Sequence, residues 1–457
     1  MTLTISFKTL CVSMLAFAVA ATNHAAAAPH ELLPEQAGDL SAAQAVAPSA
    51  GAASAAALNI KPSHDAVSLS WVATGAVAAP PAPFLAQSKE TWFSASADDL
   101  AAGVTLNTTA PRALVRIQAI GDGASPREAL AIHPLSMTVL DKSGRAYDSG
   151  AGMEMLVSAD KLAKADVPFA PGTSAFRLHP SLGAGSFKLR ANGISGSNRY
   201  LVNVVEPDSP YTLTMQSGAL HYLHGQQLVL TAALQEPGAK HAMGTLDGYV
   251  LSPAGRRFPV TFKAGKDGAM SAALALDADE TPTPGLWEVH ADASATVKGQ
   301  SVVRSVRLAF PVAMPVARLT HGVALVDGAG VNLSVGVEAA AAGRYEVRGV
   351  LYGTVNGVLS PLGVGDSAQW MEAGQGKITL AFAPELIANA SGPFEVRDLF
   401  LMDQGRLGVL HRQQRALVLS EDDVARAGGR AVKAGAALAP AQADAPHVKR
   451  PPNPQGS

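Results

Sequence analysis

Apolar and polar residues alternate with a period of two through most of this chain, the signature of strands buried on one face. Val331, Leu333, Val335 and Val337 point one way while Asn332, Ser334 and Gly336 point the other. From Tyr211 to Val312 the pattern predicts strands at 211–215, 227–234, 248–252, 258–263, 271–276, 286–291 and 301–312. Gly and Pro punctuate them, and this number of strands at this length is the pattern of an immunoglobulin-like sandwich. Ahead of it, 114–120, 136–140, 174–178, 186–191 and 200–205 read as strands of a similar module. Val157 to Ala165 is either one short helix, entered at Ser158-Ala159-Asp160, or an irregular insertion.

One phrase recurs three times: Gly185-Ser186-Phe187-Lys188-Leu189, Gly285-Leu286-Trp287-Glu288-Val289 and Gly392-Pro393-Phe394-Glu395-Val396. Its aromatic residues stand 100 and 107 positions apart, about one sandwich domain each. Gly144, Gly255 and Gly357 keep step with it, each in a polar turn between β-rich runs. The repetition predicts an all-β chain of three tandem β-sandwich modules at 89–206, 207–313 and 314–420, the second and third immunoglobulin-like. In-phase Phe187, Trp287 and Phe394 are expected as core pins rather than ligand platforms. Asp398 falls on the apolar face set by Phe394 and Val396, which predicts a bulge or strand end there.

The ends differ in composition. Residues 1–27 read as a secretory signal: Lys8 is the positive n-region, and Leu10 to Ala21 is an apolar stretch too short to span a bilayer. Residues 28–88, mostly Ala, Pro, Ser and Gly, read as a spacer, with a propeptide as the alternative. Within them Val67, Leu69 and Trp71 alternate and are expected to add an edge strand to the first module. Pro207-Asp208-Ser209-Pro210 and Pro311 to Pro315 are short joins stiffened by proline, which predicts a semi-rigid rod. Residues 421–457 read as a disordered, mildly basic tail.

Net charge of −2 and 16% charged residues leave no field to attract nucleic acid or anionic lipid. The signal predicts export, to the periplasm or beyond, and with no second run of about 18 apolar residues the product is expected to be soluble after export. The one cysteine, Cys11, leaves with the signal, which removes thiol nucleophiles, disulfides and zinc–thiolate sites together.

Few residues suggest chemistry. Gly365-Asp366-Ser367 resembles the nucleophile block of some serine esterases, and His411 is the histidine between it and the tail. A plain turn between two strands is the competing reading. His221 and His224, with His241 and Asp247 nearby, offer metal-ligand types, but histidines three apart on a strand face opposite sides. Asp277, Asp279 and Glu280 crowd one loop with hard oxygen ligands suited to calcium, without the spacing of a calcium-loop motif; a solvated acidic turn is the alternative. Trp71, Trp92 and Trp370 lie outside the repeat, and Trp370 beside Met371 is the expected exposed contact residue.

The stretch ETWFSASADDLAAGVTLNTTAPRALVRI, residues 90–117, resembles the opening of the first domain in a family of secreted bacterial proteins of unknown function. PAGRRFPVTF and PTPGLWEVHA in the middle module fit the same family, over most of 89–420. The resemblance implies export and three β domains, and supplies no functional residues. Taken with the poor inventory of reactive groups, the expectation is a non-enzymatic binding or scaffold protein recognising an envelope or extracellular protein or polysaccharide. A hydrolase or hydrolase accessory using Ser367 and His411, or a metal near His221, is the second reading; a calcium-stiffened surface stalk is the third.

Overall fold

The computed structural model describes residues 30–48, 63–73, 82–120, 130–165, 169–265, 267–276 and 283–428. Residues 1–27, predicted as a signal, and the calcium candidates Asp277, Asp279 and Glu280 lie outside the described residues. Three strands precede the first module: β1 (His30–Glu31), β2 (Val67–Val72) and β3 (Leu85–Ser88). The first module holds β4 (Glu90–Ser96), β5 (Val104–Thr108), β6 (Leu114–Ile120), β7 (Met137–Leu140), β8 (Ala146–Tyr147), β9 (Met153–Val157), β10 (Thr173–Leu178), β11 (Gly185–Ala191) and β12 (Arg199–Val205). They pair as sheets β4-β12-β6-β10-β9 and β5-β11-β7-β8 around a core that includes Val115, Phe176 and Leu189. Helix α1 (Ala97–Ala102) starts in a capping box of Ser96 and Asp99, and two short helices follow, α2 (Ser149–Gly152) and α3 (Ala159–Lys164). The 157–165 ambiguity thus resolves as a helix.

The second module comprises β13 (Thr212–Ser217), β14 (Tyr222–Leu223), β15 (Gln227–Glu236), β16 (Ala239–His241), β17 (Thr245–Leu251), β18 (Arg257–Thr261), β19 (Lys263–Ala264), β20 (Met270–Ala275), β21 (Trp287–Val297), β22 (Gln300–Phe310) and β23 (Val312–Ala313). The third comprises β24 (Ala317–Leu325), β25 (Val331–Ala339), β26 (Gly343–Val355), β27 (Val358–Met371), β28 (Gly374–Phe382), β29 (Ser391–Asp403) and β30 (Gly408–Leu419), with helices α4 (Pro384–Ile387) and α5 (Glu421–Arg426). Both modules divide their main strands alike. One sheet contains β20-β15-β13 in the second module and β28-β25-β24 in the third; the other runs β18-β17-β21-β22 and β27-β26-β29-β30.

The repeated phrase has one structural meaning. Phe187, Trp287 and Phe394 are each buried in a separate core, on β11, β21 and β29. Each of these strands pairs with the first strand of a hairpin, β7, β17 or β26. The hairpins turn at Gly144, Gly255 and Gly357, whose φ values of +83°, +84° and +79° suit glycine alone without strain. The bulge expected at Asp398 is present: Asp398 has φ +49°, and pairing shifts register on both sides of it.

The segment read as a spacer differs most from expectation. β2 joins β27, at the edge of the third module and not the first. β1 joins β24 of the same module, and β3 joins β13 of the second. Residues 30–48 also bridge the two sheets of the third sandwich. Leu32 N donates to His321 O on β24, Leu33 N to Ala416 O on β30, and Leu40 exchanges backbone bonds with Arg412. Leu32 and Leu40 enter the third core. A sandwich with two open seams leaves strand edges unpaired, and this arm covers both. The expected tail likewise starts later, because α5 buries Val424 against the third core.

The proline-stiffened joins are packed. At the first, Glu206 meets Arg304 of β22, whose side chain is 1% exposed, at 2.7 Å. At the second, β14 pairs in parallel with β23, and Leu223 enters the third core. No helix among the described residues is long and apolar enough to cross a membrane.

Candidate recognition face

The five-stranded sheet of the third module packs one face on the core and leaves the other open. Leu69, Asp366, Arg348, Phe400 and Arg412 are successive register partners from β2 to β30. Because facing residues share a side, the whole row belongs to one face. The next row, Ser68, Ser367, Val347, Leu401 and His411, lies on the core side, where Val347 and Leu401 are fully buried. Val67, Leu69 and Trp71 therefore line the open face, with Leu69 58% and Trp71 42% exposed.

Arg348 is the centre of this face. Its guanidinium lies 5.8 Å from the Trp71 ring and 5.7 Å from the Phe400 ring, within cation–π range of both. Asp366 faces it from neighbouring β27, with a carboxyl raised above its usual range by burial and by neighbouring Glu346, against the pull of Arg348. Glu346 accepts from Gln404 Nε2 at 2.6 Å, and Gln404 Oε1 accepts from Arg344 Nε at 2.9 Å. Further along, Arg397 lies 4.8 Å from the Tyr352 ring, and Glu395 binds both Arg397 and Arg415 at 2.7 Å. Ring faces, fixed guanidinium donors and carboxylate acceptors thus alternate over one sheet surface. Such a surface can stack a flat apolar moiety and hydrogen-bond the groups around it.

Several residues singled out by sequence fall elsewhere. Ser367 sits inside β27, not in a turn, and its Oγ hydrogen-bonds Ser68 Oγ at 2.8 Å. His411 shares its row but three strand spacings away, about 14 Å, so no nucleophile–base contact forms. His224 precedes the start of β15 and His241 pairs at its far end, roughly 23 Å along the strand, while Asp247 lies in the other sheet. His241 meets Glu236 at 3.3 Å, and His224 packs its edge on Trp287. Among the described residues no group of three His, Cys, Asp or Glu is placed to hold a metal ion. Trp370 is half-buried rather than a free contact: it stacks on His64 of the arm at 4.0 Å, and its Nε1 donates to Glu372.

Sequence reasoning missed Arg348, Glu346 and Phe400. Their signal was present in Arg344-Tyr345-Glu346-Val347-Arg348, whose charged positions alternate with buried ones. What could not be read was that Trp71, some 280 positions earlier, lands beside them.

A second feature lies at the seam beneath the arm, where His411 and His321 line a cavity of about 410 Å³ with Glu31, Glu35 and Gln413. Burial holds the His411 imidazole below its usual range, and its Nε2 is buried without a hydrogen-bond partner. A histidine kept neutral in the folded state costs stability once the unfolded chain can protonate it. Third-module stability should therefore fall as pH drops below about 6.5, and His411→Gln should flatten that dependence. Urea unfolding at a series of pH values measures it; equal slopes for both proteins would refute the assignment.

Residues 59–206, 209–313 and 316–420 match the N-terminal, central and C-terminal domains of unknown function named DUF4785. The chain belongs to the DUF4785 family. A crystal structure of a DUF4785 family protein from Legionella pneumophila is 20% identical and covers 85% of this chain and 99% of its own, with a TM-score of 0.67. The family fold is thereby shared, and nothing about activity follows. Trypsin-activated alpha-2-macroglobulin from Escherichia coli is 12% identical over 73% of this chain and 23% of its own, at a TM-score of 0.20 that carries no argument. No curated protein matches. The family's N-terminal domain begins at residue 59 and so includes β2, the strand that docks on the third module.

Proposed function

We propose that this DUF4785 protein is an exported, non-enzymatic binding or scaffold protein of the bacterial envelope. Its recognition surface is the open face of the third module, and its ligand an envelope protein or glycan. One observation supports the reading above others: Arg348 is held between the exposed ring of Trp71 and Phe400, beside a carboxyl pair, on a sheet face left uncovered. Buried aromatic and arginine groups at the centre of a surface are the usual carriers of binding energy. The packed joins support the scaffold half of the proposal, since they hold that face in a set relation to the other modules. The matching division of strands in the second and third modules supports an immunoglobulin-like description of both.

The test is a glycan array and an envelope pull-down with the full chain and Trp71→Ala. The expected result is at least one specific ligand whose capture falls roughly tenfold in the variant, a loss of about 1.4 kcal/mol. A ligand bound equally by both proteins removes this face from the function, and no ligand at all removes the function.

A further inference from the structure

We propose that the N-terminal arm is an exchangeable strand, and that two copies of this chain complete each other's third modules with it. The arm is joined to its acceptor by contacts that do not depend on chain continuity. At one seam these are the backbone bonds of Leu32, Leu33 and Leu40 to β24 and β30, and the Gln413 Nε2 bond to Leu33 O at 2.6 Å. At the other, β2 runs beside β27, Ser68 bonds Ser367, and Ala383 N donates to Ser70 Oγ at 3.1 Å. The bonded residues stand far apart in sequence: 299 positions for Ser68 and Ser367, 380 for Leu33 and Gln413. The arm is thus made first and its acceptor last, with two modules between them.

While the two modules between them are still unfolded, the loop to be closed is long, and the arm of a neighbour competes with that of the same chain once the protein is concentrated. The tether permits either choice. Twelve residues separate Val72 of β2 from Leu85 of β3, a reach of about 40 Å when extended. Reciprocal exchange of one element is the simplest closed route to a symmetric pair. It has a consequence for the recognition face, which rests on the function proposed above: Trp71 and Leu69 would come from one copy, and Arg348 and Phe400 from the other.

Cysteine trapping tests this, because Cys11 is the chain's single cysteine and is removed as Cys11→Ser. Ser68→Cys and Ser367→Cys are placed on separate full-length chains with different tags. Both chains are unfolded together and refolded under oxidising conditions at about 1 and 100 μM. A Ser68→Cys, Ser367→Cys double variant shows that the pair closes within one chain when refolded dilute. Exchange predicts a disulfide-linked heterodimer carrying both tags, its share rising with concentration and well above that from Ser143→Cys paired with Ser367→Cys. No heterodimer above that control at either concentration overturns the exchange. A double variant that never closes overturns the docking of the arm itself. Neither outcome depends on finding a ligand, so the proposed function and the exchange can fail separately.

Discussion

Glu206→Ala is expected to destabilise the contact between the first and second modules by about 3–5 kcal/mol. Glu206 is buried, and it accepts from the Thr109 and Ala110 amides, from Thr109 Oγ1 at 3.2 Å and from Arg304 NH1. Arg304 spends its remaining donors on Thr109 Oγ1, Ser209 Oγ, and the carbonyls of Tyr211 and Val303. Removing the carboxylate strands a guanidinium away from water and leaves two amides without an acceptor. Urea unfolding, with hydrogen exchange at Thr109 and Ala110, measures the loss. A second substitution discriminates the cause: Glu206→Leu with Arg304→Met should recover much of the stability, since an apolar pair has no charge to desolvate. If Glu206→Ala leaves the unfolding midpoint and both amides unchanged, the join is not held by this network.

Leu40→Ala is expected to cost the third module about 2–5 kcal/mol, the range for deleting a buried leucine. Leu40 lies in an Ala- and Pro-rich stretch whose composition predicts a spacer, and a spacer residue would tolerate the change. Instead its side chain is buried in the third core, and its backbone exchanges two bonds of 2.8 Å with Arg412. Faster hydrogen exchange at the Arg412 amide and at β24 is the local signature to seek. Loss confined to global unfolding, with Arg412 as protected as before, would place the effect elsewhere than at the seam.

The modules themselves were legible because strand patterns are local. Alternation along 331–337 or 114–120 is set by neighbours in the chain, and so is the φ > 0 turn that Gly144, Gly255 and Gly357 provide. In-phase aromatics were legible too, since a repeated inward position leaves a repeated residue type. The bulge at Asp398 showed as a polar residue out of phase. Strands β4, β5 and β9 of the first module went unread: β4 and β5 flank α1 and β9 lies between α2 and α3, so helical turns interrupt the alternation on either side.

The candidate face was less legible. Gly365-Asp366-Ser367 resembled one nucleophile block, or a plain turn, because adjacent letters suggest one site, yet all three lie in β27, where adjacent residues point to opposite faces. Trp370 looked free because nothing in its own neighbourhood shows that His64 covers it.

Sequence alone determined that this chain is mostly β, that it repeats three times, and that Phe187, Trp287 and Phe394 each enter one core. Those properties follow from periodicity and turn chemistry within a few residues, where sterics dominate. Tertiary structure decided that the arm belongs to the third module, that Glu206 and Arg304 lock a join, and that Trp71 meets Arg348. Edge pairing and charge burial depend on which distant segments come together. Backbone hydrogen bonds are the same for every residue type, so a strand's letters do not name the edge it will join.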